Sequence, residues 1–297
     1  MSSLGSEGPA LAGLLLALLF LLGLLVGSFL NVVIYRVPRG QSVVRPRSAC
    51  PSCGTPIGAR DNIPVLSWLL LRGHCRACGA PIPSRYPLVE LTTGISWAVT
   101  GAWALAVPDR TALLPLLLIL VSAGIALAFI DVEHHRLPNS IVLPLYPVTI
   151  AGLAFAGMMN AAWPWREAII GLGAWLLLIG GLWLLSGGRG MGFGDVKLAP
   201  VLGATLGWVS VSSALTGLLA AFVLGAAVGI GILVARRTPA PVSTAVPDTS
   251  GLKDLAGTGE PAGTPMAFGP FLLAGAALGL VVGPALGDAY LSIVGWS

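Results

Sequence analysis

The sequence predicts an all-α polytopic membrane protein of about eight transmembrane helices, with a small cytoplasmic four-cysteine, zinc-binding module between helices 1 and 2. Three observations predict it. Hydrophobic residues make up 56% of the chain and charged ones only 9%, against about 25% charged in soluble domains. The apolar residues come in blocks long enough, as helix, to cross a hydrocarbon core of about 30 Å. All four cysteines stand in one polar stretch, as two Cys-x-x-Cys pairs. The 40 glycines and 23 prolines do not oppose this reading, because membrane helices tolerate both when neighbouring segments re-satisfy the backbone.

The first block, 10–33, reads as a transmembrane helix. It lacks the basic start of a signal peptide and exceeds the length of a signal's apolar region. Residues 34–86 form the soluble stretch large enough for a folded module. A transmembrane core over 87–235 follows, with spans near 87–107, 112–130, 140–159, 167–186, 196–210 and 212–235. Residues 236–265 are rich in Pro, Thr, Ala and Gly without periodicity and read as a flexible cytoplasmic linker. Residues 266–297 supply the last span, near 266–284, and a tail that would lie at the interface. Alternation of the loops puts 34–86, 131–139, 187–197 and 236–265 on one side, with 14 of the 16 Lys and Arg residues. The bias of basic residues toward the inner side makes that side the cytoplasm and leaves both ends outside.

Cys50, Cys53, Cys75 and Cys78 are spaced C-x2-C-x21-C-x2-C, with Gly54 and Gly79 directly after each pair. Two such knuckles suit one tetrahedral ion held by four thiolates, and zinc is the ordinary occupant. A segment of this size also needs a staple, having little core of its own. Redox chemistry or unligated thiols are the competing readings; a reducing cytosol opposes disulfides. With four thiolates bound the ion is structural, because no position stays open for catalysis.

Of the 12 acidic residues, Glu90, Asp131, Glu133 and Asp195 fall at cytoplasmic ends of predicted spans. Asp131 ends an apolar run, and Asp195 follows Gly190-Met191-Gly192-Phe193-Gly194. A carboxylate at membrane depth is costly and by default marks function. Peptide hydrolysis needs a base for water and an acid for the carbonyl oxygen or leaving amine; two aspartates sharing one proton supply both. For either aspartate alone the plainer reading is a solvated helix end or a partner for Arg136 or Lys197. Together, and beside the glycine loop, they favour catalysis. No G-x-S-x-G or H-E-x-x-H motif is present, and His134 and His135 read as loop residues. An ion-coupled transporter using the two aspartates is the rival from another class, although such groups usually lie near the midplane. A non-enzymatic secretion-assembly protein is the second.

The motifs, in order, resemble those of the type IV prepilin leader peptidases, the GxGD-type intramembrane aspartic peptidases of pilus and type II secretion systems. They are Gly27-Ser28-Phe29-Leu30-Asn31, the two cysteine knuckles, Asn62-Ile63-Pro64, Arg85-Tyr86-Pro87-Leu88-Val89-Glu90, Asp131 before Leu137-Pro138-Asn139, Gly192-Phe193-Gly194-Asp195 and Phe268-Gly269-Pro270-Phe271. The resemblance implies an endopeptidase of the bacterial inner membrane that removes the basic leader of prepilins and pseudopilins at the cytoplasmic face, with Asp131 and Asp195 as the catalytic pair. It also implies N-methylation of the new terminus with S-adenosylmethionine, for which no residue here shows a donor site. The implied partners are those substrates and the lipid bilayer; nucleic acid is not among them.

Overall fold

The structure, a computed structural model, describes residues 7–189, 191–237 and 267–294. Among these the chain is helical, with two isolated β-bridges and no strand. The helices are α1 (Glu7–Arg36), a short α2 (Leu66–Leu70), α3 (Arg85–Leu105), α4 (Leu114–His134), α5 (Asn139–Asn160), α6 (Trp165–Leu185), α7 (Phe193–Val209), α8 (Val211–Arg237) and α9 (Gly269–Val294). Six of the long helices, α1, α4, α5, α6, α8 and α9, are long and apolar enough to cross a membrane. The other two fall short for different reasons. At 17 residues, α7 spans only about 26 Å. In α3, Glu90, Thr92, Thr93 and Ser96 dilute the apolar run. Against the expectation of about eight crossings, the described residues hold eight long helices, of which six qualify as spans by length and composition.

Helix ends follow local chemistry. Pro115 stands in the first turn of α4, where its missing N–H is no loss. The same helix ends on a left-handed His135, whose N–H returns to the Asp131 carbonyl at 2.8 Å. The helices then pair closely, α1 with α3, α6 with α7, and α8 with α9. Small residues allow this. A Cβ on Gly171, Gly203 or Gly207 would collide with the backbone of the opposite helix in the α6–α7 pair. Close approach of backbones is how membrane helices gain packing without a hydrophobic drive.

Trp175 is fully buried at the centre of the main core, among Leu127, Leu198, Leu202, Ala214 and Leu272. Its indole Nε1–H donates to the Ala214 carbonyl at 2.9 Å, which satisfies its one polar group. A second cluster, Leu30, Ile34, Val89, Ala126 and Ile130, ties α1 and α3 to α4 next to Asp131. A third, around Leu116, Leu153 and Trp208, closes the opposite end, where Trp165 meets Trp208 edge-on at 4.8 Å.

Three expectations change. The last span does not stop at 284 before a separate interfacial tail, because α9 runs through Pro284 to Val294. Gly283 and Gly287 lie against Ser213 and Ser212, so pairing with α8 holds the helix together beyond the proline. α4 continues one turn past Asp131 to His134, so His134 is helical rather than in a loop. α7 begins at Phe193, ahead of the predicted start near 196, so Asp195, expected to open this span, sits inside its first turn. The predicted linker at 236–265 lies outside the described residues apart from its first two positions, which extend α8.

Candidate active site

Asp131 and Asp195 come to the same end of the helix bundle, and each is only 5% exposed. Three chain segments meet there: the last turn of α4, the first turn of α7 and the first residue of α9. The Asp195 N–H is bonded to the Gly192 carbonyl at 3.1 Å, which sets the first turn of α7. Leu137, itself buried, packs on the space above Gly194, where a Cβ would stand 2.8 Å from the Leu137 Cβ. That contact is the local reason for glycine immediately before Asp195.

The two carboxylates meet across Gly269. Its N–H donates to Asp131 Oδ2 at 3.0 Å. A Cβ built on Gly269 would stand 2.8 Å from Asp131 Oδ2 and 3.5 Å from Asp195 Oδ1. Asp195 Oδ1 is buried without a hydrogen-bond partner in the protein. Among the described residues neither aspartate joins a cation: the ion pairs are Asp61–Arg76, Glu133–Arg85 and Glu167–Arg166. Lys197 Nζ instead donates to Asn139 Oδ1 at 2.9 Å and lies over the Phe193 ring, while Arg136 donates to the Pro38 carbonyl. The reading of either aspartate as a solvated helix end or a partner of Arg136 or Lys197 is therefore set aside. Two buried, unpaired carboxylates facing one point can hold one proton between them and present both a base and an acid to a molecule placed there.

The cysteine module occupies the same end. The Sγ atoms of Cys50, Cys53, Cys75 and Cys78 all lie within 4.8 Å of one another, close enough to hold one metal ion. Both knuckles fold alike: Gly54 N–H to the Cys50 carbonyl at 2.8 Å, and Gly79 N–H to the Cys75 carbonyl at 2.9 Å, with φ near +70° at each glycine. That left-handed turn is where only glycine sits without strain. The hydrogen bond between Cys53 and the Thr55 hydroxyl, and then that with the Thr55 backbone, with the Cys78 thiol adding to them, pull the Cys53 thiol down to about 6. Thiolate is the form that binds metal. Asp61 and Arg76 clasp across the module at 2.7 Å, and that bond holds the Asp61 carboxyl below its ordinary range.

Glu90 and Glu133, the other two carboxylates at this end, anchor rather than approach the pair. Glu133 takes both oxygens to Arg85 Nη1, at 2.6 and 2.9 Å, joining α4 to α3. Glu90 is buried and accepts the Val65 N–H at 2.7 Å, which ties the module to α3. Val65 has φ of +60°, unusual for a β-branched residue, so this bond holds a strained turn. The sequence reading left Glu90 and Gly269 without roles; a glycine and a proline opening an apolar span were the available signal for the second.

Fold and site together define a multi-pass membrane protein with a paired-carboxylate centre at one end of its bundle and a four-cysteine module beside it. Comparison with known sequences gives the family. Residues 118–230 match the type IV leader peptidase family, and residues 21–104 match the bacterial peptidase A24 N-terminal domain. A prepilin leader peptidase/N-methyltransferase of Aeromonas salmonicida (strain A449) is 35% identical over 307 residues, covering 94% of each chain. Proteins of the same description from Myxococcus xanthus (44% identical, 80% of this chain and 68% of that one) and Klebsiella pneumoniae (43%, 66% and 87%) are similar as well. No solved structure matches significantly. The chain belongs to the type IV leader peptidase family.

Proposed function

We propose that this chain is an intramembrane aspartic endopeptidase of the bacterial inner membrane, which removes the basic leader from type IV prepilins and pseudopilins at the cytoplasmic face. The observation that carries the reading is the meeting of Asp131 and Asp195, buried and without cations, across Gly269. Their place at one end of the bundle fits cleavage just outside a substrate's apolar segment, and fits an ion path through the midplane poorly. In this reading the ionised aspartate takes a proton from water as the water oxygen bonds to the scissile carbonyl carbon. The protonated partner gives its proton to the carbonyl oxygen. When the tetrahedral adduct collapses, that hydroxyl proton returns to the pair, the amine leaves with a proton, the C–N bond breaks, and one proton again remains shared. All eight long helices cross the bilayer, α3 and α7 shielded by their partners α1 and α6.

Cys50, Cys53, Cys75 and Cys78 hold a structural zinc ion, which their four converging thiols suit. The names of the relatives support a second activity, methylation of the new terminus with S-adenosylmethionine as methyl source. A cavity of about 410 Å³ between α1 and the loop of residues 43–48 has the size for such a donor. The test is to incubate the purified protein with a prepilin and S-adenosylmethionine and weigh the products. Loss of the leader mass establishes the peptidase, and a further gain of one methyl mass the second activity. An unchanged prepilin rejects both.

A further inference from the structure

Gly269 lies outside both matched segments, 21–104 and 118–230, yet its N–H bonds Asp131 and a side chain there would meet both aspartates. The start of α9 explains how. The first N–H groups of a helix have no partner within it. Here the Phe271 and Leu272 N–H groups return to the Phe268 carbonyl, Pro270 has none to offer, and the Gly269 N–H points to Asp131 Oδ2. Phe268 fixes the position of that N–H. Its ring lies 5.4 Å from the Phe222 ring and fills the space over Gly225, where a Cβ would stand 2.8 Å from Phe268 Cε2. Buried Leu272 holds the next turn in the main core.

Resting on the peptidase reading, we propose that Gly269 is a positioning residue of the site. Its N–H fixes one oxygen of Asp131, and its missing side chain leaves open the point that both carboxylates can reach. Any larger residue puts a carbon 2.8 Å from Asp131 Oδ2. Real Cβ atoms do not approach an oxygen so closely, so the carboxylate must turn away or α9 must back off. Either shift separates the two acids from the place where the attacking water and the scissile carbonyl have to meet. The Phe268 wedge opposes the second response and leaves the first. The substrate's apolar segment does not depend on this contact, so binding survives.

The experiment compares Gly269→Ala with Gly287→Ala in detergent, measuring kcat and KM on a prepilin together with thermal stability. Gly287 packs on the Ser212 side chain, 18 residues or about 27 Å along α9 from Gly269, and reports what loosening the α8–α9 pairing alone does. For Gly269→Ala we expect kcat to fall about a hundredfold, the scale of a misplacement near 1 Å, with KM within twofold of wild type and a displaced pH–rate profile. For Gly287→Ala we expect a lower melting temperature with kcat, KM and pH profile of the folded fraction unchanged. Wild-type kcat in Gly269→Ala, or a loss that follows its unfolded fraction as in Gly287→Ala, overturns the proposal. If Gly269→Ala does not fold, Phe268→Ala decides, because it keeps the glycine and frees the wedge: a lower kcat at unchanged KM supports the assignment, and an unchanged kcat overturns it. Persistent cleavage by Asp131→Asn would instead sink the peptidase reading, which separates the two failures.

Discussion

Replacing Asp195 by Asn removes one acid while keeping its shape, and the structure sets what to expect. Asp195 is 5% exposed and its Oδ1 has no partner, so the amide enters without breaking a bond of that oxygen and without leaving a cavity. Stability should therefore change little. Catalysis should not survive, because an amide neither accepts water's proton nor shares the proton of Asp131. Loss of one positioned acid or base costs about 10²–10⁴ in rate, or roughly 2.7–5.4 kcal/mol at 1.36 kcal/mol per decade. In a pair that shares one proton both roles fail together, so a loss near 10⁴ is expected. The same logic makes Asp131→Asn equivalent, and the double variant no slower than either single one, since groups acting as a unit are not additive. The assay is leader release from a prepilin followed by mass spectrometry at saturating substrate, with melting curves alongside. Cleavage within tenfold of wild type in either single variant would refute the pairing, as would a double variant slowed by the product of the two single effects.

Three further outcomes are expected. Elemental analysis of protein purified without chelator should find one zinc per chain, and Cys53→Ser or Cys78→Ser should lose the metal while retaining part of the cleavage activity; a stoichiometry near zero in the wild type rejects the zinc. Reporter fusions at residues 60 and 245 should both report the cytoplasm, with both chain ends outside, and a fusion at 245 that reports the outer side rejects eight crossings. Glu90→Ala should strand the half-buried Val65 N–H at a cost of about 1 kcal/mol, seen as faster limited proteolysis between residues 37 and 84, whereas Glu90→Gln keeps an acceptor and should resist like wild type.

Asp131, Asp195 and the four cysteines were legible in the sequence for one reason: in a chain this apolar, acids and thiols are rare enough to be weighed singly, and spacing or parity then groups them. The helix ends beside the aspartates were less so. Charge and glycine usually mark where a span meets water, yet Asp131 and Asp195 are polar because they face each other inside the bundle, so each helix passes beyond the mark. The end of α9 was missed because Pro284 looks like a stop, while what keeps the helix going is a row of glycines against α8. In the sequence Gly269 stands out only as part of the Phe268-Gly269-Pro270-Phe271 motif. It acts through a backbone N–H, which every residue but proline has, on a partner 138 positions away, and no composition or period encodes that contact.

The order of the three segments along the chain has a consequence for biogenesis. Asp131 and Asp195 leave the ribosome early, but the residue that bridges them opens the last helix, so the centre stays incomplete until that helix is inserted. At a synthesis rate of about 5–20 residues per second, the 74 positions from Asp195 to Gly269 correspond to roughly 4 to 15 seconds. On the proposed reading, a nascent chain thus carries both acids through the insertion machinery, amid other unfolded segments, before the backbone N–H that positions them is in place.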